Sequence, residues 1–110
     1  MRIDVERIGS VLVVELPTGN VDAANSMELR EALESLVSNG TQIVIDMANV
    51  SFVDSSGLGS LLSIKRELGD RHGEMKLCGM LDSVAKMFSL VRMDRVFDIH
   101  PTRDEAVGSF

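Results

Sequence analysis

Short apolar runs alternate with segments of helical periodicity, and this alternation restricts the chain to few folds. Val11–Leu16 and Ile43–Met47 are rich in β-branched residues and mostly apolar, as strands covered on both faces are. From about Asn25 to Val37, apolar residues recur every three or four positions, which predicts an amphipathic helix. A second such helix is predicted from about Ser56 to Leu68. Strands that alternate with helices along the chain indicate the α/β class.

The rest of the chain continues this pattern. The remaining predicted elements are an edge strand at Ile3–Ile8, a strand at Met75–Cys78, a short helix capped by Asp82, a short strand at Val96–Ile99, and a final helix after the capping box of Thr102 and Glu105. Thr18-Gly19-Asn20 is predicted to be a loop, because these residue types favour turns. A chain of 110 residues has room for one hydrophobic core. We therefore expect one α/β domain, with a mixed sheet of four to five strands and about four helices.

Charge and composition exclude several classes of function. Lys and Arg number 11 against 17 Asp and Glu, which gives a net charge of −6 and argues against nucleic-acid binding. No apolar run approaches the ~20 residues of a membrane span, and the charged amino terminus does not resemble a signal peptide. A lone Cys78 cannot form an intramolecular disulfide, which fits a reducing compartment. We expect a cytoplasmic protein that makes no direct contact with nucleic acid and has no membrane span.

The most unusual segment is Asp54-Ser55-Ser56-Gly57-Leu58-Gly59. It places two adjacent hydroxyls and two glycines at the predicted start of the second helix. The free N–H groups of a first helical turn favour an anion, so a phosphate esterified to one of these hydroxyls would be stabilised there. The alternative is that Asp54, Ser55 and Ser56 only cap the helix, as these residue types commonly do. Spacing alone favours capping over a phosphorylation switch, because nearly every helix has a cap.

Signatures of enzymes and of bound cofactors are not met. Neither serine of that segment has the glycine two residues earlier that a nucleophile elbow requires. The two glycines do not extend to a dinucleotide fingerprint, since Leu62 occupies the position of the third glycine. His72, His100 and Cys78 lack the spacing of a metal site. We expect neither a cofactor nor a metal. A small serine hydrolase is one of three hypotheses for the function and the least favoured; the other two, described below, are binding proteins.

In its context the segment resembles the signature of the STAS domain family, and more narrowly that of the bacterial anti-sigma factor antagonists. The context is the strand Ile43–Asp46, followed by Phe52-Val53 directly before the segment. The resemblance extends along nearly the whole chain, through Leu16–Asp22, Gly73–Cys78 and Val84–Leu90. One departure is Asn20, which stands where the family commonly has an acidic residue. The resemblance implies a single STAS-like α/β domain over residues 1–110.

For an anti-sigma factor antagonist, the resemblance implies a switch that catalyses nothing. The unphosphorylated form binds an anti-sigma factor, which then releases its sigma factor. The anti-sigma factor is typically also a serine kinase, which phosphorylates the first Ser after the Asp, here Ser55, and so switches binding off. A metal-dependent serine phosphatase restores the binding form. The other residues expected at the partner-binding surface are Asp22, Asp54, Ser56, Gly57, Leu58, Gly59 and Ser60.

The same family implies an alternative function. STAS domains also serve as subunits of other signalling or transport assemblies. In that interpretation Ser55 is only a helix cap, and the chain has no phosphorylation switch. Neighbouring genes separate the two interpretations: a serine kinase that resembles histidine kinases favours the antagonist, and components of a transport system favour the alternative.

Overall fold

The computed structural model describes residues 1–110. Its elements are β1 (Asp4–Ile8), β2 (Val11–Glu15), β3 (Gly19–Val21), α1 (Ser26–Glu34), β4 (Gln42–Asp46), β5 (Val50–Val53), α2 (Ser55–Asp70), β6 (Glu74–Cys78), α3 (Asp82–Leu90), β7 (Asp98–His100) and α4 (Arg103–Gly108), with one turn of 3-10 helix at Met93–Arg95. Five strands form the main sheet, in the order β1-β2-β4-β6-β7. β1 is an antiparallel edge strand and the other neighbours are parallel. The predicted mixed sheet and four helices are confirmed.

The two faces of the main sheet are covered differently. One face packs against α1, α2 and α3 and forms the principal core, whose largest members are Leu16, Leu29, Leu33, Ile43, Ile45, Met47, Leu61, Ile64, Leu68, Leu77 and Phe88. Full burial of each such side chain contributes about 1.5–3 kcal/mol before chain entropy is subtracted. On the other face, Ala106 of α4 packs with Val13 and Val44 in a smaller cluster. The principal core therefore fixes α2, the helix that carries the unusual segment, against the sheet.

A separate two-stranded sheet is the main departure from the sequence prediction. Gly19 and Asn20, predicted to lie in a loop, belong to β3, which pairs in parallel with β5. A strand of three residues is too short to show a period of two, and its pairing partner lies far along the chain. Gly19 has a φ of +124° next to a register shift in this pairing, a conformation that glycine adopts readily. This small sheet places the start of α1 next to the start of α2.

Several predicted boundaries also shift. α1 ends at Glu34 rather than near Val37, because the chain continues in tighter turns with i→i+3 hydrogen bonds. β7 begins two residues later than predicted, and Phe97 before it is buried against Phe88 with ring centroids 5.8 Å apart. α2 runs over 16 residues, yet no helix of the chain combines the length and apolar character needed to cross a bilayer.

The predicted helix caps meet different outcomes. The hydroxyl of Thr102 accepts a hydrogen bond from the backbone N–H of Glu105 at 3.2 Å, so this predicted cap is confirmed. Asp82 is instead the first residue of α3, and Leu81 occupies the cap position without a side-chain bond. The cap prediction at Asp82 is wrong by one residue, because the carboxylate is already inside the first turn.

Candidate functional site

Asp54 is the N-cap of α2. Its backbone is extended, with φ −99° and ψ −175°, and its Oδ1 accepts a hydrogen bond from the N–H of Gly57 at 2.9 Å. That bond is the principal reason why the pKa of the Asp54 carboxyl lies below its usual value. The cap satisfies one of the four free N–H groups of the helix and adds a negative charge at the positive end of its dipole.

Ser55 and Ser56 are the first two residues of the helix and do not cap it. Both are exposed, and neither hydroxyl makes a hydrogen bond within the chain. Of the three residues that could have capped α2, only Asp54 does so. The hydroxyls of Ser55 and Ser56 are therefore open to a second protein, beside N–H groups that favour an anion.

The pairing of β3 with β5 brings Asp22 next to this helix start. Val21 is opposite Val53, and the N–H of Asp54 donates to the carbonyl oxygen of Val21 at 3.1 Å. The N–H of Ala23 donates to Oδ2 of Asp54 at 3.0 Å. Both oxygens of the Asp54 carboxylate are thus engaged, one in the helix cap and one in the chain that follows β3. Sequence spacing gave no indication of this proximity.

Asn25 organises the segment that follows Asp22 instead of capping α1. Its Oδ1 accepts a hydrogen bond from the N–H of Asp22 at 3.0 Å, and its Nδ2 donates to the carbonyl oxygen of Asn20 at 2.8 Å. The N–H groups of Asn25 and Ser26 both donate to the carbonyl oxygen of Asp22. These bonds fold residues 22–25 into a compact turn. Asn25 occupies the N-cap position of α1, but its side chain makes no capping hydrogen bond to the helix.

The two glycines of the segment differ in their surroundings. Gly57 is buried, and a Cβ added to it would overlap the carbonyl oxygen of Val21 and lie 2.7 Å from its Cγ1. α2 therefore packs directly on the backbone of β3 at this point. Gly59 is exposed, with nothing within 4 Å of an added Cβ. Of these two glycines, only Gly59 leaves open space on the outer side of the helix.

Ser60 also faces inward. It is 8% exposed, and its hydroxyl donates to the carbonyl oxygen of Ser26 at 2.8 Å, which joins α2 to the start of α1. Gly57 and Ser60, both expected at the partner-binding surface, are therefore buried beneath it, and a partner would not touch their side-chain positions directly. Leu58 is half-buried and packs against the principal core. The predicted residues that reach the surface are Asp22, Asp54, Ser55, Ser56, Leu58 and Gly59.

Sequence reasoning did not single out Phe52 as a site residue. It precedes Asp54 by two residues on β5 and is 52% exposed. The sequence offered no clear signal, because β5 does not alternate: Val50 and Val53 at its ends are buried, and the two residues between them are exposed, beside the register shift in its pairing with β3.

The side chains considered for other chemistry lie elsewhere. Cys78 is buried in β6, and burial raises the pKa of its thiol to about 11, so the thiol is packed and unreactive. His100 contacts the carboxylate of Asp98 at 2.9 Å, while His72 is exposed in the turn after α2. These three residues belong to different parts of the fold from the Asp54 segment.

Comparison with known proteins agrees with the geometry. A family model described as the STAS domain matches residues 2–106. An anti-sigma F factor antagonist of Paenibacillus polymyxa is 30% identical over 111 aligned positions, which cover 99% of this chain and 92% of that protein. An anti-sigma-B factor antagonist of Listeria monocytogenes is 30% identical over 92 positions, which cover 83% of this chain and 81% of that one.

A solved structure adds evidence for the fold. The crystal structure of an anti-sigma factor antagonist from Mycobacterium paratuberculosis superimposes with a TM-score of 0.85 and 27% sequence identity. The superposition covers 98% of this chain and 92% of that one. The match therefore includes the whole α/β domain and the start of α2.

Proposed function

Because this chain belongs to the STAS domain family, we propose that it is an anti-sigma factor antagonist controlled by phosphorylation of Ser55. In this proposal the unphosphorylated chain binds an anti-sigma factor and thereby frees a sigma factor. Two relatives that are 30% identical carry the name of anti-sigma factor antagonist, which supports the proposal. The chain acts by binding, and its partners perform the chemistry.

The observation that carries the proposal is that Asp54, and not Ser55, caps α2. Asp54 supplies the cap of α2, and Ser55 is exposed with a hydroxyl that has no partner in the chain. The interpretation in which Ser55 is only a cap requires the reverse arrangement. A free hydroxyl on the first turn of a helix is accessible to a kinase and lies next to N–H groups that stabilise the phosphate.

Phosphorylation would proceed as an ordinary phosphoryl transfer at Ser55. The Oγ of Ser55 forms a bond to the γ-phosphorus of ATP held by the anti-sigma factor kinase, while the bond from that phosphorus to the β,γ-bridging oxygen breaks. The hydroxyl proton passes to a base of the kinase, and ADP leaves. A metal-dependent serine phosphatase reverses the modification by hydrolysis, with water attacking phosphorus and the Ser55 hydroxyl leaving.

The phosphate opposes binding through charge and solvation. It adds about −1.5 to −2 charges beside the carboxylates of Asp22 and Asp54, on a chain whose net charge is already −6. A partner that packs over Ser55 would have to desolvate this phosphate, which is costly without a matched cation. The helix start accommodates the added group without refolding, so only the surface changes.

Labelling by the cognate kinase tests the proposed acceptor. We expect incubation with the cognate anti-sigma factor kinase and ATP to add one phosphate. Mass mapping should assign this phosphate to Ser55. Ser55→Ala should abolish labelling, whereas Ser56→Ala, the matched control on the next exposed hydroxyl, should retain it. Labelling of Ser55→Ala at the wild-type level would refute the assignment.

A further inference from the structure

We propose that Phe52 is the apolar anchor of the partner-binding surface, and that its ring enters an apolar pocket of the anti-sigma factor. The inference rests on the proposed function and adds to it a residue outside the Asp54–Gly59 segment. It also gives the antagonist a source of affinity that is separate from the hydroxyl of Ser55.

Phe52 differs from every other aromatic side chain of the protein. The chain has four Phe and neither Trp nor Tyr. Phe88 and Phe97 are buried, and Phe110 is partly covered with its ring 4.8 Å from Nζ of Lys76. Phe52 alone is an exposed aromatic residue, at 52%, and it does not belong to the hydrophobic clusters of the core. Its exposed ring therefore has no structural role in either cluster.

The small sheet directs Phe52 to the same side as the site. Val21 and Val53 point inward and are each 2% exposed. Because side chains alternate along a strand, the residues on either side of them face outward, which places Phe52 with Asp54 and Asn20 with Asp22. Residues two apart on a strand are about 7 Å from one another.

The register completes this outward face. Asn20 is opposite Phe52, and Asp22 follows Val21 as Asp54 follows Val53. These four side chains form one continuous surface that ends at Ser55. A partner that contacts Ser55 from this side therefore also meets Phe52.

The surroundings of the ring define the chemistry of its partner. Asn20 next to it presents an amide whose Oδ1 already accepts from the hydroxyl of Ser51 at 3.2 Å, and the carboxylates of Asp22 and Asp54 lie one step further along. An aromatic side chain bordered by acceptors fits an apolar pocket edged by hydrogen-bond donors. Aromatic residues are enriched among the few that dominate binding at interfaces.

Another strongly exposed apolar residue, Leu90, provides a control. Leu90 is 84% exposed at the end of α3, outside the small sheet. Leu90 is exposed to a larger fraction than Phe52, so a non-specific loss of surface hydrophobicity would affect both variants. A loss specific to Phe52 would identify the anchor.

Calorimetric titration of unphosphorylated protein with its cognate anti-sigma factor tests the proposal. We expect Phe52→Ala to weaken binding on the order of 30-fold, as for a hot-spot residue, and Leu90→Ala to stay within about threefold of wild type. Thermal unfolding of each free variant verifies that the fold is intact. Equal affinities of wild type and Phe52→Ala would overturn the inference.

A fluorescent variant keeps the test open if Phe52→Ala folds poorly. Because the chain lacks Trp and Tyr, Phe52→Trp introduces its only indole. We expect its emission, after subtraction of the wild-type complex, to shift to shorter wavelength when the anti-sigma factor binds, whereas Leu90→Trp should not shift. An unchanged emission of Phe52→Trp in the complex would contradict the inference.

Two further outcomes separate the alternatives. If Phe52→Ala changes only self-association, measured by sedimentation, the occupant of this surface is a second copy and the proposal is wrong. If wild-type protein does not bind the anti-sigma factor at all, the proposed function fails and the inference falls with it. Wild-type binding with an unaffected Phe52→Ala refutes the inference alone.

Discussion

Gly57 and Asp54 show how single residues shape the start of α2. Gly57 has no side chain because the backbone of β3 occupies that space. Asp54 uses one carboxylate oxygen for the helix and the other for the turn after β3. These two residues join the start of α2 to β3 and to the turn that follows it. The exposed serines lie between them in the sequence.

Gly57→Ala should destabilise the fold, while Gly59→Ala should not. The new Cβ at position 57 would overlap the carbonyl of Val21, and overpacking of this kind costs about 1–3 kcal/mol. At position 59 the Cβ meets open space, and Gly to Ala inside a helix gains about 0.5–1 kcal/mol. Urea unfolding of both variants measures the difference. Equal stability of the two variants would contradict the close packing of α2 on β3.

Asp54 should make stability depend on pH in the acidic range. The pKa of this carboxyl is lowered on folding, chiefly by the hydrogen bond from Gly57. Its stabilisation is therefore complete above the unfolded pKa of about 3.9 and is lost as the pH falls through the folded pKa. In Asp54→Ser a hydroxyl retains the cap but does not titrate over this range.

The urea midpoint of wild type should consequently fall more steeply between about pH 5 and pH 3 than that of Asp54→Ser. Asp98, whose pKa is lowered mainly by its bond to Lys76, contributes equally in both proteins. The difference between the two profiles thus isolates Asp54. Parallel profiles would show that the Asp54 carboxylate does not stabilise the folded state.

Among the elements, α4 is joined to the main sheet by ion pairs of one side chain as well as by apolar contacts. This six-residue helix carries Arg103, whose guanidinium contacts Asp46 at 2.7 Å and both Glu6 and Glu15 at 3.2 Å. The three acidic residues come from β1, β2 and β4, so one cation joins α4 to three strands. Its pKa is raised, principally by the hydrogen bond to Asp46.

Arg103→Gln should therefore lower the free energy of unfolding by about 1–3 kcal/mol at neutral pH, because three neighbouring carboxylates lose their shared cation. Arg30→Gln is the matched control. Its pair with Glu34 at 2.9 Å is exposed and separated by one helical turn, and such pairs contribute about 0.3–0.5 kcal/mol. Denaturant titration distinguishes the two. An equal loss from both variants would mean that α4 is held by its apolar contacts alone.

The elements also show what local sequence could predict. The strand at Ile43–Met47 was located correctly because it is a continuous apolar run, and α2 because its apolar residues recur with the period of a helix. β3 was predicted as a loop, since its three residues acquire strand geometry only from pairing with β5. The inward orientation of Gly57 and Ser60 depends on the same non-local contacts, which no spacing within the motif reveals. The motif marks the candidate site, and tertiary packing decides which of its residues face outward.

For the whole molecule, the compact core and the small sheet have separate roles. The principal core holds α2 rigidly, and the sheet of β3 and β5 brings Asp22, Phe52 and Asp54 to one side of Ser55. Such a surface can change its charge without a change of fold. We propose that phosphate on Ser55 switches partner binding through this local change.

Calorimetric titration of the cognate anti-sigma factor with three proteins, under identical nucleotide conditions, measures the effect of this phosphate on partner binding. These are the unmodified protein, the protein phosphorylated on Ser55, and Ser55→Ala. Like-charge repulsion and phosphate desolvation together should weaken binding of the phosphorylated form about 100-fold, which is a loss of ~3 kcal/mol, while Ser55→Ala binds as tightly as the unmodified protein. Equal affinities of the phosphorylated and unmodified proteins would show that phosphate on Ser55 does not switch partner binding.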